Sequence, residues 1–429
     1  MFRERRARVL EAMGEGVMIL PAAEVMIRNN DVEHAYRQDS DFFYLTGFEE
    51  PESVLVLSTK HEHEAVLFVR PRNKEREIWD GPRAGVEGAV ERYGVDAAYT
   101  IDELAKRLPD YLGDVDRVHV RVGRGDAFDR QLFAALDVVR RRARQGIATP
   151  TELIDPGKIL HEMRLRKSEA ELALMRRAAN VTREAHLRAM HATAAGKHEY
   201  EVEAEIRRAF RAGGCARAAY DSIVGSGPNA CILHYRANDR EMGEGELLLI
   251  DAGCELEYYA SDVTRTFPVS GTFSAEQRAL YEVVLAAEKA GIDAARPGKT
   301  LDDIHHITSE IVARGLLEHG LLTGSFDEVM ETQAFKRFFM HKTSHWLGMD
   351  VHDVGNYYLA GQPRPLEPGF VLTVEPGIYV APDADVDPRW RGIGIRIEDD
   401  VCVRAEGAPE NLTSAIPKEI ADVEAACEA

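Results

Sequence analysis

Four apolar stretches of this chain end in, or carry, a carboxylate. LLLIDAG (residues 247–253) runs into Asp251, ASDVTRTFP (260–268) holds Asp262, and VLTVEPG (371–377) closes on Glu375 before Pro376-Gly377 turns the chain. In GIGIRIED (392–399) the two-residue period of a strand puts Ile393, Ile395 and Ile397 on one face and Gly394, Arg396 and Glu398 on the other. Burying an unpaired carboxylate costs about several kcal/mol, so a fold that buries these runs must meet their acidic groups with a cation or strong donors. Thr264 shares a face with Asp262 by the same period. Two strands joined by a short turn can bring Asp251 and Asp262 together. Taken singly, either aspartate reads equally well as a turn or strand-end residue, and Glu375 as a solvated strand end.

HKTSHWLGMDVHDVG (341–355) adds His341, His345 and His352. A lone histidine is more often a satisfied core residue than a ligand. Three within fifteen residues, downstream of two aspartates and upstream of two glutamates on strand patterns, shift that balance. Asp251, Asp262, His345, Glu375 and Glu398 together form a carboxylate-rich donor set with one imidazole, the chemistry of hard divalent cations rather than of thiolate-bound zinc. Two neighbouring metals are needed to neutralise that many carboxylates. Such a pair lowers the pKa of a bridging water and polarises a carbonyl under attack.

At 429 residues, two domains are expected. Residues 1 to about 150 mix short apolar runs (16–20, 53–57, 65–69 and 117–120) with amphipathic stretches such as 128–142, which predicts a small α/β domain. TPTELIDPGKILHEMRLRKSE, from Thr149, reads as the connection, giving domains 1–165 and 166–429. Ser168 with Glu171 predicts a capped helix running to Gly196; a second helix is expected near 199–213 and a third from Ser274 and Gln277 towards Pro297. Strands are expected at 246–252, 257–267, 370–375 and 393–403. A net charge of −20 argues against nucleic acid and against an anionic membrane, whereas a peptide's α-ammonium group suffers no repulsion from it. Cys215, Cys231, Cys254, Cys402 and Cys427 are odd in number and contain no CxxC pair, which reads as reduced thiols in a cytoplasmic protein. No apolar run approaches the length of a membrane helix.

IDAG, ASDVTRTFP, SHWLGMDVHDVG, TVEPGIY and GIGIRIEDD, in this order, resemble the signature segments of aminopeptidase P, a pita-bread metallopeptidase family related to prolidase and methionine aminopeptidase. YRQDSDFFYLTGFEEPESVLVL (36–57) is similar to that family's N-terminal domain and GSGPNACILHY (225–235) to its substrate-binding segment. The resemblance implies a small N-terminal α/β domain followed by a pita-bread catalytic domain. It also implies two divalent metal ions, manganese first, with cobalt and zinc tolerated by the same donors.

By position, Asp262 and Glu398 would bridge the metals, Asp251 would chelate one, and His345 with Glu375 would complete the other. His352 would contact the substrate carbonyl, His234 would line the pocket, Glu375 would relay a proton, and His341, Tyr379 and Arg396 would stand around them. Asp31 and Trp79 resemble N-domain positions that reach an active site across subunits of a homo-oligomer, dimer or tetramer, although NNDVEHAYRQ departs from the commoner family wording. The implied reaction is attack by a metal-bound hydroxide on the bond between an N-terminal residue and a following proline in Xaa-Pro-Yaa peptides. Two rivals share the pattern: a prolidase limited to Xaa-Pro dipeptides, and a non-catalytic peptide-binding relative, which would be expected to lose ligands.

Overall fold

The computed structural model describes residues 1–428. The chain divides into two compact units, Met1–Met163 and Arg164–Ala429. In the first unit the apolar runs form the middle of a six-stranded sheet ordered Ala97–Thr100, Ala65–Val69, Val54–Ser58, Val17–Pro21, Arg117–His119, Glu152–Ile154. Its three central strands pair antiparallel and the outer connections are parallel, so the sheet is mixed. Val17, Ile19, Val54, Val56, Val66 and Phe68 pack on one face against Leu104, Leu108, Leu132, Leu136 and Val139 of the helices Leu104–Leu112 and Asp126–Arg141. Alternate residues such as Met18, Leu55 and Leu67 are equally buried, as expected for strands covered on both faces. The segment expected as a connection is itself ordered. Its Glu152–Ile154 is the sheet's edge strand, and the helix Gly157–Leu165 follows.

The second unit is built from short antiparallel ladders under paired helices. Leu247–Asp251 pairs with both Ile223–Ser226 and Thr264–Pro268; Val371–Val374 pairs with Asp399–Cys402; and Gly377–Tyr379 pairs with Gly394–Arg396. The helices Glu169–Ala192 and Glu199–Ala212 form one packed pair, and Ala275–Ala294 with Leu301–Glu318 the other, over a shared apolar core. This is the pita-bread arrangement. Ser168 caps its helix as expected, its hydroxyl accepting from the Glu171 N–H while the Glu171 carboxylate accepts from the Ser168 N–H.

Two expected strands are interrupted. The 257–267 run begins in a tight turn, with Glu257 and Tyr258 both at positive φ between Cys254–Leu256 and Tyr259–Ala260. Asp262 then lies just before the strand Thr264–Pro268 rather than within it. The 393–403 run likewise breaks at Ile397–Glu398, because its two halves pair with different strands. Alternation survives the break: Arg396 and Glu398 both reach the Thr264 hydroxyl.

Candidate metal centre

The antiparallel pairing of Leu247–Asp251 with Thr264–Pro268 sets Asp251 opposite Thr264 and so brings the two aspartates into one site. The approach depends on Gly253. A Cβ there would lie 1.7 Å from the Ser261 carbonyl oxygen, an overlap no side chain tolerates. Glu375, at the end of Val371–Val374, and Glu398, in the gap between two ladders, enter from the other half of the unit.

Asp262, His345 and Glu398 each offer one ligand atom, and these atoms lie within 4.8 Å of one another. His345 Nε2 stands 3.3 Å from Asp262 and 3.8 Å from Glu375. Its Nδ1 donates to the Trp346 carbonyl at 3.0 Å, so Nε2 faces the carboxylate cluster, the nitrogen that a metal would bind on displacing its proton. Burial pushes the His345 pKa down, but the hydrogen bond and charge of Asp262, with Glu375, outweigh burial and hold it up at about 9.

Four carboxylates share this space with one guanidinium. Arg396 donates to Asp251 at 2.6 Å, to Tyr379 Oη at 3.0 Å and to Thr264 Oγ1 at 3.1 Å; Thr264 in turn donates to Glu398 at 2.6 Å. Tyr220 Oη sits within hydrogen-bond distance of both Asp251 and Asp262, but its single proton serves only one of them at a time. Glu375 faces His345 and His341 at 3.8 and 3.9 Å, beyond hydrogen-bond reach. Burial, reinforced by Asp262, Glu375 and Asp251, pushes Glu398 well above the ordinary carboxylate range. Burial likewise raises Asp251 despite Arg396, and lifts Glu375 to about 8 against the pull of His345 and Arg396. A pocket that is buried, oxygen-rich and short of positive charge fits a divalent cation, whose charge would reverse each of these upward shifts.

The pocket is about 480 Å³, and His234, His341 and His352 line it together with the carboxylates and Arg396. The His352 ring lies 4.5 Å from that of His345, nearly perpendicular to it, and burial with the His345 charge lowers its pKa. His341 donates from Nδ1 to the Lys342 carbonyl and accepts at Nε2 from Tyr379 Oη, both at 2.8 Å; burial and then Arg396 press its pKa down to about 3, so it is neutral. Asp31 and Trp79 belong to the first unit: Asp31 in the turn between Ile27–Asn29 and Val32–Glu33, Trp79 on the helix Lys74–Asp80 with 83% of its surface exposed.

Reading motifs alone misses Tyr220 and Asp400. Tyr220 lies in an irregular segment with no periodicity to point it inward. Asp400 accepts from the Asp262 N–H and from the Ser261 hydroxyl at 3.2 and 3.0 Å and so holds the backbone that carries Asp262. The one signal for Asp400 is the third acid of the run Glu398-Asp399-Asp400.

Comparison with known proteins gives the same reading. The model of metallopeptidase family M24 matches residues 173–405 and that of the aminopeptidase P N-terminal domain matches residues 2–120. The chain is 46% identical to the Xaa-Pro aminopeptidase of Escherichia coli, covering 99% of this chain and 96% of that protein. The solved structure of Pseudomonas aeruginosa aminopeptidase PepP superposes with a TM-score of 0.97 at 50% identity, covering 100% of this chain and 97% of the other. A zinc-substituted E. coli aminopeptidase P in complex with product superposes at 0.96 and 44% identity, over 100% and 97% of the two chains. With its buried divalent-metal site and its matching N-terminal domain, the chain belongs to metallopeptidase family M24, among the aminopeptidases P.

Proposed function

We propose that the protein is an Xaa-Pro aminopeptidase working with two divalent ions, manganese first, and that it removes the N-terminal residue from peptides whose second residue is proline. The observation that carries this reading is the convergence of Asp262, His345 and Glu398 within 4.8 Å, flanked by Asp251 and by a Glu375 without a hydrogen-bond donor. Asp262 and Glu398 would bridge the ions, Asp251 would chelate one, and His345 with Glu375 the other. Bound there, the metals would acidify a water and polarise the scissile carbonyl.

The protein's own groups do the rest. Asp251, oriented by Arg396 and Tyr220, faces the substrate's α-ammonium end, which restricts cleavage to the first residue. Glu375 takes a proton from the attacking water and returns it to the prolyl nitrogen as that bond breaks. His352 donates to the carbonyl oxygen as negative charge develops, a preorganised contact worth on the order of 3 kcal/mol. His234 and the Arg396–Tyr379–His341 chain shape the slot for a ring that lacks an N–H. Asp31 and the exposed Trp79 are proposed to meet a second copy of the chain in a homo-oligomer, dimer or tetramer. The five free thiols support the cytoplasm as its compartment, and no helix among the described residues is long and apolar enough to cross a membrane.

The test is kcat/KM for Ala-Pro, Ala-Pro-Ala, acetyl-Ala-Pro-Ala and Ala-Ala-Ala at one manganese concentration. Ala-Pro-Ala should be cleaved fastest, since residues beyond proline add binding energy usable at the reacting carbonyl. The acetylated peptide should resist cleavage. Preference for the dipeptide would assign a prolidase, and equal turnover of Ala-Ala-Ala would remove proline from the specificity.

A further inference from the structure

His352 sits on an irregular, solvent-facing loop, yet its ring is set perpendicular to that of His345 at 4.5 Å. The next residue explains how. Asp353 turns away from the pocket into a buried cluster, where its carboxylate accepts from Lys167 Nζ at 3.0 Å and from Arg164 Nη2 at 2.7 Å. All three side chains are at most 2% exposed. Arg164 Nη2 also donates to Asp350 at 2.7 Å, so one guanidinium grips the loop at two points. The Asp353 N–H closes the loop onto the Trp346 carbonyl at 2.9 Å, beside His345, while the Lys167 N–H is tied to the Gly369 carbonyl at 2.8 Å. Gly348 leaves room for this seat, since a Cβ there would lie 2.1 Å from Asp353 Oδ2.

Packed apolar side chains of the same volume would hold this loop with no desolvation cost, so stability alone gives little reason for burying two cations here. What the cluster adds is direction, because charge-assisted bonds fix the Asp353 carboxylate and with it the backbone that carries His352. We propose that Arg164, Lys167 and Asp353 are positioning residues that hold His352 in its catalytic orientation, acting on turnover through that histidine rather than on metal or peptide binding. The inference rests on the reading above that His352 contacts the reacting carbonyl.

The test is a double-mutant cycle of Lys167→Met and Asp353→Asn, each in the wild type and in His352→Ala, assayed with Ala-Pro-Ala alongside bound manganese and the thermal midpoint. Each single variant should lower kcat by at least about tenfold, as expected from a small misplacement of a catalytic group, with KM and manganese content within twofold of wild type. In the His352→Ala background either substitution should change kcat by less than about twofold. Equal losses in both backgrounds, or loss of manganese from either variant, would overturn the inference while leaving the role of His352 intact. Wild-type turnover in His352→Ala alone would instead overturn the role of His352 and the inference with it. Should Asp353→Asn, which leaves two buried cations without their shared anion, not fold, Lys167→Met, which leaves Asp353 paired with Arg164, carries the same comparison.

Discussion

Glu398 and Asp399 are neighbours in sequence and equally buried, yet their carboxyl groups shift in opposite directions. Glu398 joins three other carboxylates around Arg396 and a charged His345, four acids against two cations, and is pushed far up by burial and repulsion. Asp399 points the other way. It accepts from Arg265 at 2.7 Å, from Thr413 at 2.8 Å, from Asn411 at 2.7 Å and from Lys418 at 2.5 Å, and despite burial these cations hold it well below the carboxylate range. Lys418 also reaches Glu288, so two cations stand against two carboxylates there. Burial alone therefore does not mark a metal site. The mark is a surplus of buried carboxyl groups over cations: Glu288, on the Asp399 side, is also pushed well above its ordinary range by burial and by Asp399, yet there two cations still stand against two carboxyl groups.

The largest expected effect breaks the comparison at its centre. Glu398→Gln and Asp262→Asn should each abolish turnover, to below about a tenth of wild type, because a neutral amide loses the charge that holds the cations. Stripping wild type with a chelator should lower its thermal midpoint, whereas Glu398→Gln should respond little, having little metal to lose. Wild-type metal content and turnover in either variant would remove the bridging assignment.

Next in size is the balanced side. Asp399→Asn leaves the buried Arg265 and the half-buried Lys418 short of an anion and should cost about 3–5 kcal/mol of folding stability. In the metal-free protein Glu398→Gln should cost nothing or even stabilise, since it relieves repulsion. Urea midpoints of both variants after chelation are the measurement. Equal destabilisation of the two would mean that charge balance does not separate the clusters.

His352→Ala comes third. It removes a residue that belongs to neither cluster, so both metals should stay while kcat falls by a factor corresponding to about 3 kcal/mol. Loss of manganese from this variant would show that His352, and not only His345, holds an ion.

How much of this was legible in the sequence follows from the same contrast. Asp251, Asp262, His345, Glu375 and Glu398 each interrupt or end an apolar pattern; singly each reads as well as a turn, strand-end or core residue, and it is their recurrence along the chain that points to a site. The acids at 398, 399 and 400 read alike in sequence, whereas in the fold one faces the metal pocket, one faces Arg265 and Lys418, and one takes the Asp262 N–H. Which goes where depends on the switch of strand partners at Ile397–Glu398, a tertiary event with no local signature. Tyr220 was hidden for the same reason. The helices were the easier part: the Ser168–Glu171 and Ser274–Gln277 capping boxes fix their starts from a few adjacent residues.

The smallest expected effect concerns a buried group that forms no ion pair, with burial outweighing the opposed charges of Arg265 and Asp399. His186 is fully buried and its Nε2 lies 3.0 Å from the Ala252 carbonyl, next to Asp251. Burial drives its pKa down to about 4. The ordinary imidazole value, about 6.5, applies to the unfolded chain, so between the two the unfolded state binds the extra proton. The stability contributed by neutral His186 is therefore complete above about pH 6.5 and is lost as pH falls towards about 4, with a slope of at most ~1.4 kcal/mol per pH unit. Replacing it by glutamine removes the titration, so the stability advantage of wild type over His186→Gln should shrink by about 2 kcal/mol between pH 7 and 4.5. Both proteins should be compared metal-free, which cancels the acid-driven loss of metal as well as the same-sign titrations of His305 and His341. A gap that stays constant with pH would mean that His186 is already charged or already hydrated in the folded protein. A gap that widens on acidification would mean that the neighbouring carboxylates reach it, which would extend the negative field of the metal pocket one layer deeper than the hydrogen bonds indicate.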